Sequence, residues 1–452
     1  MRFMLRAVVA IALLVAAAFT VTACGSSDDS SDSSTAATSG AAGAGTTAVK
    51  PGTKITIWHN SADPPALRQL YRDFAADTGV EVDAVAQPSA GFEDTTLTRW
   101  ASGSRPDVLE YHPTVTNLLA LNPVANLRDL SGEEFVSKSG DLYRSAATVD
   151  GKTYGAMIGF PQVFGVFYNK DVFRRAGIDT PPGTAEELVS ACEAILARVP
   201  GVTPIAESGG SVWPPQVLPT LLMGDANPDN SWGQELRSNR AALDDADSPF
   251  VRAMETYRQL KDDGCFNRDA ASATVENSVR GLVEGEVGMV ALHSDMIPAM
   301  VAAAGGDAAK VDRTVGFFAL GGEAPAATYI PGPIGSYYLP RTGDADREAA
   351  ALEFIRYATG RGYGRYVEAA RAFPIIEGTP EPAGISALAR EVKAAYDRGP
   401  ANIAYAADVP GVGGVAALIN KLLIDQTNPQ EMAEQTQKSV EQAAKAAKLE
   451  GW

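Results

Sequence analysis

Residues 53–58 (TKITIW) alternate polar and apolar positions, the period of two that predicts a strand. The period then changes. Leu67, Leu70, Tyr71, Phe74 and Ala75 recur at three- and four-residue spacing and form one helical stripe. Asp63 or Ser61 is available to cap this helix, Pro64 and Pro65 suit its first turn, and Gly79 follows its last. Residues 80–85 (VEVDAV) and 106–111 (PDVLEY) predict two more strands, the second entered through a turn at Gly103-Ser104-Arg105. Strand, helix and strand at these spacings predict a βαβ unit and a parallel sheet.

Asp150-Gly151-Lys152 predicts a turn between apolar strands that reach Tyr168. A helix is expected over 184–199, where Thr184 and Glu187 have capping-box spacing. Another begins at Ser248-Pro249 and turns Phe250, Met254, Tyr257 and Leu260 inward. Strands are expected over 286–292 and 315–320. A helix over 346–359, with Leu352, Ile355 and Tyr357/Ala358 inward, is closed by Gly360. Two helices, 415–425 and 429–448, end the chain; Asn428 caps the last, with Glu431 three residues on. No repeat of fixed period occurs, and the pattern favours α/β lobes over a bundle or a sandwich.

The first 24 residues do not share this pattern. Arg2 and Arg6 precede an apolar stretch over 7–20 that is short for a spanning helix, which is the form of an export signal. Val21-Thr22-Ala23-Cys24 resembles the lipobox of bacterial lipoproteins. Residues 1–23 then read as a signal peptide, and Cys24 as the lipidated first residue of the mature chain. The other reading is a plain secretory signal with an incidental cysteine. Residues 24–52 are mostly Ser, Gly, Ala, Thr and Asp, a composition that buries too little surface to offset chain entropy, so a flexible tether is expected.

The chain has 452 residues with 38 basic and 55 acidic side chains, a net charge of −17 that argues against a nucleic-acid partner. Its three histidines, His59, His112 and His293, are far apart, and no HExxH or CxxC motif occurs, so neither a metal nor a cofactor is expected. Cys192 lies on the apolar stripe Leu188, Cys192, Ile195, Leu196, Val199, and Cys265 follows Gly264 at a probable helix end. Export to an oxidising compartment favours a disulfide between them over two separate buried thiols.

Several segments, taken in order, resemble the family 1 extracellular solute-binding proteins of ABC importers. They are Ile55-Thr56-Ile57-Trp58, the passage from Phe74 to Val82, and Gly103-Ser104-Arg105-Pro106-Asp107-Val108. Asp150-Gly151-Lys152-Thr153-Tyr154-Gly155 follows, then Phe167-Tyr168-Asn169-Lys170-Asp171-Val172-Phe173 with Ala176-Gly177-Ile178, then the stretch from Leu282 to Met289. The resemblance implies an α/β, two-lobed periplasmic-binding-protein fold with a hinge and an inter-lobe ligand cleft. Carried onto this chain, lobe one is 53–160 plus 320–373, and lobe two is 161–319 plus 374–452.

A saccharide presents hydroxyls and weakly apolar ring faces, so its site needs planar polar groups and aromatic rings. In the resembled family the loop after the first strand contacts ligand, which points to Asn60, Ser61 and Asp63; for Asp63 helix capping alone is the competing role. Glu110 and Tyr111 close the third strand, where the family places cleft residues. Gln162 lies eight residues before Lys170, where the maltodextrin-binding member has a glutamate. Phe164 can stack or pack the hinge. Trp213 matches an aromatic cleft loop of lobe two. His293, Ser294 and Asp295 stand where the family often has Gly-x-Trp, which replaces a stacking ring by polar groups and disfavours a long linear oligosaccharide. Tyr329 and Gly332 belong to a Gly-rich turn, and Tyr405 to a further loop, that match cleft loops of the family.

Arg and Lys are sparse among these positions, so a neutral carbohydrate or polyol is expected, delivered to ABC permease subunits by a monomer tethered to the membrane through its lipid. Two alternatives stay open. One keeps the fold but binds a glycerophosphodiester or peptide. The other is a tethered glycoside hydrolase built on a pair such as Asp63, Glu110 or Asp295; no GxSxG motif is present.

Overall fold

A computed structural model describes residues 49–50, 52–88, 92–227, 231–321, 327–332, 334–399 and 401–452. The signal, the tether and Cys24 lie outside the described residues. No described helix is long and apolar enough to cross a membrane.

The strands are β1 (Lys54–Asn60), β2 (Glu81–Gln87), β3 (Val108–Glu110), β4 (Thr148–Val149), β5 (Lys152–Thr153), β6 (Gly155–Met157) and β7 (Gln162–Asn169). They continue as β8 (Thr203–Ile205), β9 (Val287–His293), β10 (Val315–Phe318), β11 (Thr328–Ile330), β12 (Ser336–Tyr338) and β13 (Asn402–Ile403). One sheet runs β2-β1-β3-β12-β6, and β1 is parallel to both β2 and β3. The other runs β13-β11-β7-β9-β8, and β10 and β11 lie end to end along one side of β7. β4 and β5 form the small hairpin at the Asp150-Gly151 turn.

Each sheet separates two apolar cores. Along β7 the side chains alternate: Phe164 and Val166 join the larger core of the second lobe, whereas Val163 and Phe167 join the smaller. In the first sheet Ile55, Ile57 and Val108 face one core, and Trp58 and Leu109 face the other. Both sheets mix parallel and antiparallel pairs, and helices on both faces cover these cores.

The motif segments act as scaffold. Asp107, buried, accepts a hydrogen bond from Thr56 N at 2.8 Å and pairs with Arg347 at 3.3 Å, which pins the entrance of β3 to β1. Asn169 Oδ1 accepts from the N–H groups of Asp171 and Val172, both at 3.0 Å, and caps the helix Lys170–Ala176. Its Nδ2 donates to Leu282 O at 2.8 Å, tying together two motifs 113 residues apart.

Thr184, Ser248 and Asn428 cap their helices with side-chain oxygens, as expected. Glu187 instead accepts from Gly183 N, one residue before the cap. The first helix, Pro65–Thr78, departs from expectation: Pro64 occupies the cap position without a side-chain bond, and neither Asp63 nor Ser61 caps it. Pro65 at the first helical position has no N–H to satisfy, which removes part of the need for a cap. A second departure concerns the expected boundary at 320. Thr328–Ile330 pairs with β7 in the second sheet, so the return to the first lobe falls between Ile330 and Ser336, where β12 begins. Ile376 still packs in the first core, and the third passage follows it.

Cys192 and Cys265 are joined in a disulfide that spans 73 residues. It links the helix Ala185–Arg198 to the turn after the helix Pro249–Asp262. Closing a loop of that length restricts the unfolded chain by about 4 kcal/mol in the chain-entropy account. Reduction is expected to lower the unfolding free energy by about 2–4 kcal/mol. Urea denaturation with and without reductant measures this; coincident curves would show that the bond contributes nothing.

Candidate functional site

The parallel strands β1, β2 and β3 end at Asn60, Gln87 and Glu110, and in the second sheet β9, parallel to β8, ends at His293. β6 reaches β7 through residues 158–161 alone, and Phe164 at the start of β7 pairs with His293. The carboxyl ends of both sheets are thereby directed at the same joint. Open α/β sheets bind ligands outside the carboxyl ends of their strands.

On the first lobe, Asn60 Oδ1 accepts from Ala62 N at 2.9 Å and shapes the loop after β1, while Ser61 N donates to Gln87 O at 2.8 Å. Asp63 is buried and its Oδ2 lies 3.0 Å from His59 Nδ1. Glu110, 2% exposed, accepts from Gly335 N through Oε1 at 2.7 Å. Burial, and then the Asp63 carboxylate beside it, pushes the Glu110 carboxyl well above the usual carboxylate range. Tyr111 is fully buried against Phe92 and His112, with ring centroids 6.1 and 5.7 Å away.

On the second lobe, the expected residues form one connected group. The Trp213 and His293 rings are 4.9 Å apart, and Phe164 stands 6.1 Å from His293 on the other strand. Gln162 Nε2 donates to Asp295 Oδ2, and Ser294 Oγ accepts from Val163 N at 3.1 Å. Burial holds the His293 imidazole below its ordinary pKa, with the Asp295 charge opposing in part. A neutral imidazole, two aromatic rings, an amide and a carboxylate therefore share one wall.

Three expected residues fall outside these groups. Tyr329 packs edge-on against Tyr396 at 5.5 Å and lines a cavity of about 470 Å³ beside the hinge, with Phe160 and Lys393. Gly332 sits in the return passage, where a Cβ would stand 2.8 Å from Phe160 O. Tyr405 is buried in the larger core of the second lobe, 6.2 Å from Phe250.

Two residues near the joint were not anticipated. His59 reads as a polar position at a strand end, and nothing local marks its contact with Asp63. Tyr366 belongs to the stripe Tyr363, Tyr366, Val367 of the helix Tyr363–Ala370, which reads as core. Its hydroxyl pKa is raised first by burial and then by the charges of Glu110, Asp295 and Asp63, so it lies within electrostatic reach of both groups.

The description "Bacterial extracellular solute-binding protein" matches residues 58–365, about two thirds of the sequence. The chain belongs to this family. Among curated relatives of the solute-binding protein, binding proteins of Brucella abortus (strain 2308) and Brucella suis biovar 1 (strain 1330) are 27% identical over 158 residues. That match spans 35% of this chain and 36% of theirs. A solved chitin oligosaccharide binding protein is 21% identical with a TM-score of 0.73, over 87% of this chain and 99% of that one. The solute-binding protein RafE in complex with raffinose is 20% identical with a TM-score of 0.69, over 87% and 100%. The GacH receptor of Streptomyces glaucescens, solved unliganded and with acarbose, is 20% identical with a TM-score of 0.67, over 88% and 99%. At these identities the likeness is one of fold, and it is the two-lobed α/β fold described above.

One buried acid of the solute-binding protein lies off the cleft. Glu207 follows β8 and is buried; desolvation raises its pKa from 4.5 to about 8, and the nearby Tyr257 hydroxyl and Ser208 N–H offset only part of this. The folded state thus holds a proton that the unfolded state releases. Its contribution to stability is full below about pH 4.5, falls as pH rises to about 8 and is flat beyond. Glu207→Gln is expected to flatten this slope. Denaturation midpoints at pH 5 and pH 8 test it, and equal losses in both proteins would refute the assignment.

Proposed function

We propose that the protein is a lipid-anchored solute receptor on the extracytoplasmic face of the cell membrane. It takes a neutral carbohydrate or polyol between its lobes and delivers it to the permease of an ABC importer. Cys24 carries the anchor, and residues 24–52 form the tether. Binding and release, with closure of the lobes about the hinge, are its whole task; no covalent step is involved.

The observation that carries this reading is the wall of the second lobe. Trp213, packed against His293, offers a face on which a sugar ring stacks, and Phe164 backs His293 from the core. Gln162, Ser294 and Asp295, tied to the same strands, pair with hydroxyls. Asn60 and Ser61 supply polar groups from the opposite lobe. Every group named is neutral or acidic, so the wall suits a ligand without negative charge better than a phosphodiester. The ligands named for the similar solved structures, chitin oligosaccharide, raffinose and acarbose, belong to the same chemical class.

Thermal unfolding of the purified protein against neutral saccharides, polyols, glycerophosphodiesters and peptides tests the reading, because a ligand bound only by the folded state raises the midpoint. A shift is expected with a neutral saccharide or polyol. Trp213→Ala is expected to weaken that ligand about tenfold or more, since a stacked ring contributes area and about 0.5–1.5 kcal/mol beyond it. A shift confined to glycerophosphodiesters would overturn the neutral cleft, and unchanged affinity in Trp213→Ala would remove the stacking role.

A further inference from the structure

At the loop after β1, three side chains, two from strands β1 and β3 and one from the loop itself, converge in a buried place. His59, Asp63 and Glu110 each present a ligand atom, and these atoms lie within 4.8 Å of one another. His59 is 4%, Asp63 5% and Glu110 2% exposed. His59 Nδ1 faces Asp63 Oδ2 and the Asn60 carbonyl, both at 3.0 Å. Glu110 uses Oε1 to accept from Gly335 N; its Oε2, also buried, makes no well-formed hydrogen bond among the described residues, although the Asp63 carboxyl and the Asn60 backbone lie beside the group. The carboxyls of Asp63 and Glu110 stand side by side, and no Lys or Arg pairs with either side chain among the described residues. Two adjacent carboxyls in a desolvated place cannot both stay ionised unless a cation lies between them; without one, a proton held on Glu110 supplies the neutrality.

We propose that His59, Asp63 and Glu110 form a divalent transition-metal site of the zinc class, at the floor of the first lobe beside the joint. One imidazole and two carboxylates match the N/O donor set of zinc, whereas calcium and magnesium favour oxygen alone. The ion's two positive charges balance the two carboxylates and give Glu110 Oε2 a partner. The spacing suits one small ion, because donors about 2.0–2.2 Å from a common centre stand about 3–4.4 Å from each other. Entry is provided by a cavity of about 550 Å³ between the helix Pro65–Thr78 and β2, lined by His59, Ser61, Arg68 and Tyr71. The site does not depend on which solute the cleft accepts. No local spacing marks it, since Glu110 comes from another strand, and a metal-free chain was the expectation from sequence.

The test uses the purified protein, stripped with chelator and titrated with zinc chloride by calorimetry and thermal unfolding. One ion per chain and a raised midpoint are expected. Asp63→Asn and Glu110→Gln are each expected to weaken zinc at least about 100-fold, since loss of a mere supporting partner already costs about 10–100-fold. Glu110→Gln keeps the side-chain oxygen that accepts from Gly335 N, so its fold is retained and its metal-free unfolding midpoint serves as the check. His112→Gln, which alters the separate His112–Glu93 pair, is expected to bind zinc as the parent does. Cobalt in place of zinc should give an absorption spectrum that Glu110→Gln abolishes. Absence of saturable zinc binding, or binding equally strong in Asp63→Asn and Glu110→Gln, would overturn the proposal.

Discussion

The architecture depends on how closely two passages of main chain approach each other between the lobes. Residues 158–161 leave the first lobe, and the return includes 331–332 and 334–335. They run side by side, with Ile158 N donating to Gly335 O at 3.0 Å. A Cβ at Gly159 would stand 2.5 Å from Ile334 O, and one at Gly332 would stand 2.8 Å from Phe160 O. Backbone therefore packs on backbone, with no side chain between the passages at these points. A thin joint of this kind lets two sheets turn as units, because most of each sheet's core is its own and Tyr329 is among the few residues packed across. Glu110 draws the floor of the first lobe into the same joint through Gly335 N. Any substitution that wedges the passages apart acts on both strand edges at once.

What was legible in the sequence was local. Thr184, Ser248 and Asn428 announce their helices because a cap and the helix it starts are only a few residues apart. Asp63 looked equally suited, but Pro64 intervenes and the carboxylate turns back to His59. β11 was not legible. Three residues carry no period, and its partner β7 lies far earlier in the chain, so the passage between lobes was expected too early. Asp107 and Asn169 show the other limit. Their motifs identify the fold, yet the reason for each residue type appears only with its distant partner, Arg347 for one and Leu282 for the other.

The same distinction divides the site. His293, Ser294 and Asp295 are contiguous at a strand end, so pattern alone placed them at an edge, and Gln162 and Phe164 reach them from the paired strand. Tyr329 and Tyr405 were expected in the cleft because their loops match cleft loops of the resembled family. Both are instead about as buried as core residues, and their rings pack on Tyr396 and Phe250. Tyr366 errs in the opposite direction, since its helical spacing reads as core and conceals its nearness to three carboxyls. Periodicity reports which side of an element is covered. It does not report whether the cover is a core or an opposing lobe.

An acidic chain of this kind can keep its excess charge on the surface at little cost, but each acid it buries needs a partner. Asp107 has Arg347 and the Thr56 N–H; Asp408 has Arg237 at 3.0 Å. Glu207 has no such cation among the described residues, and burial raises it until a proton supplies the neutrality. Asp63 and Glu110 are the pair in which one imidazole serves two neighbouring carboxyls, since His59 bonds Asp63 and Glu110 has only neutral backbone donors and Asp63 beside it. That pair is also the one in contact with the joint. Whatever cation settles there is bound through Glu110 to the passage that connects the lobes. A charge requirement in the first lobe and the freedom of the hinge are therefore set by the same residue.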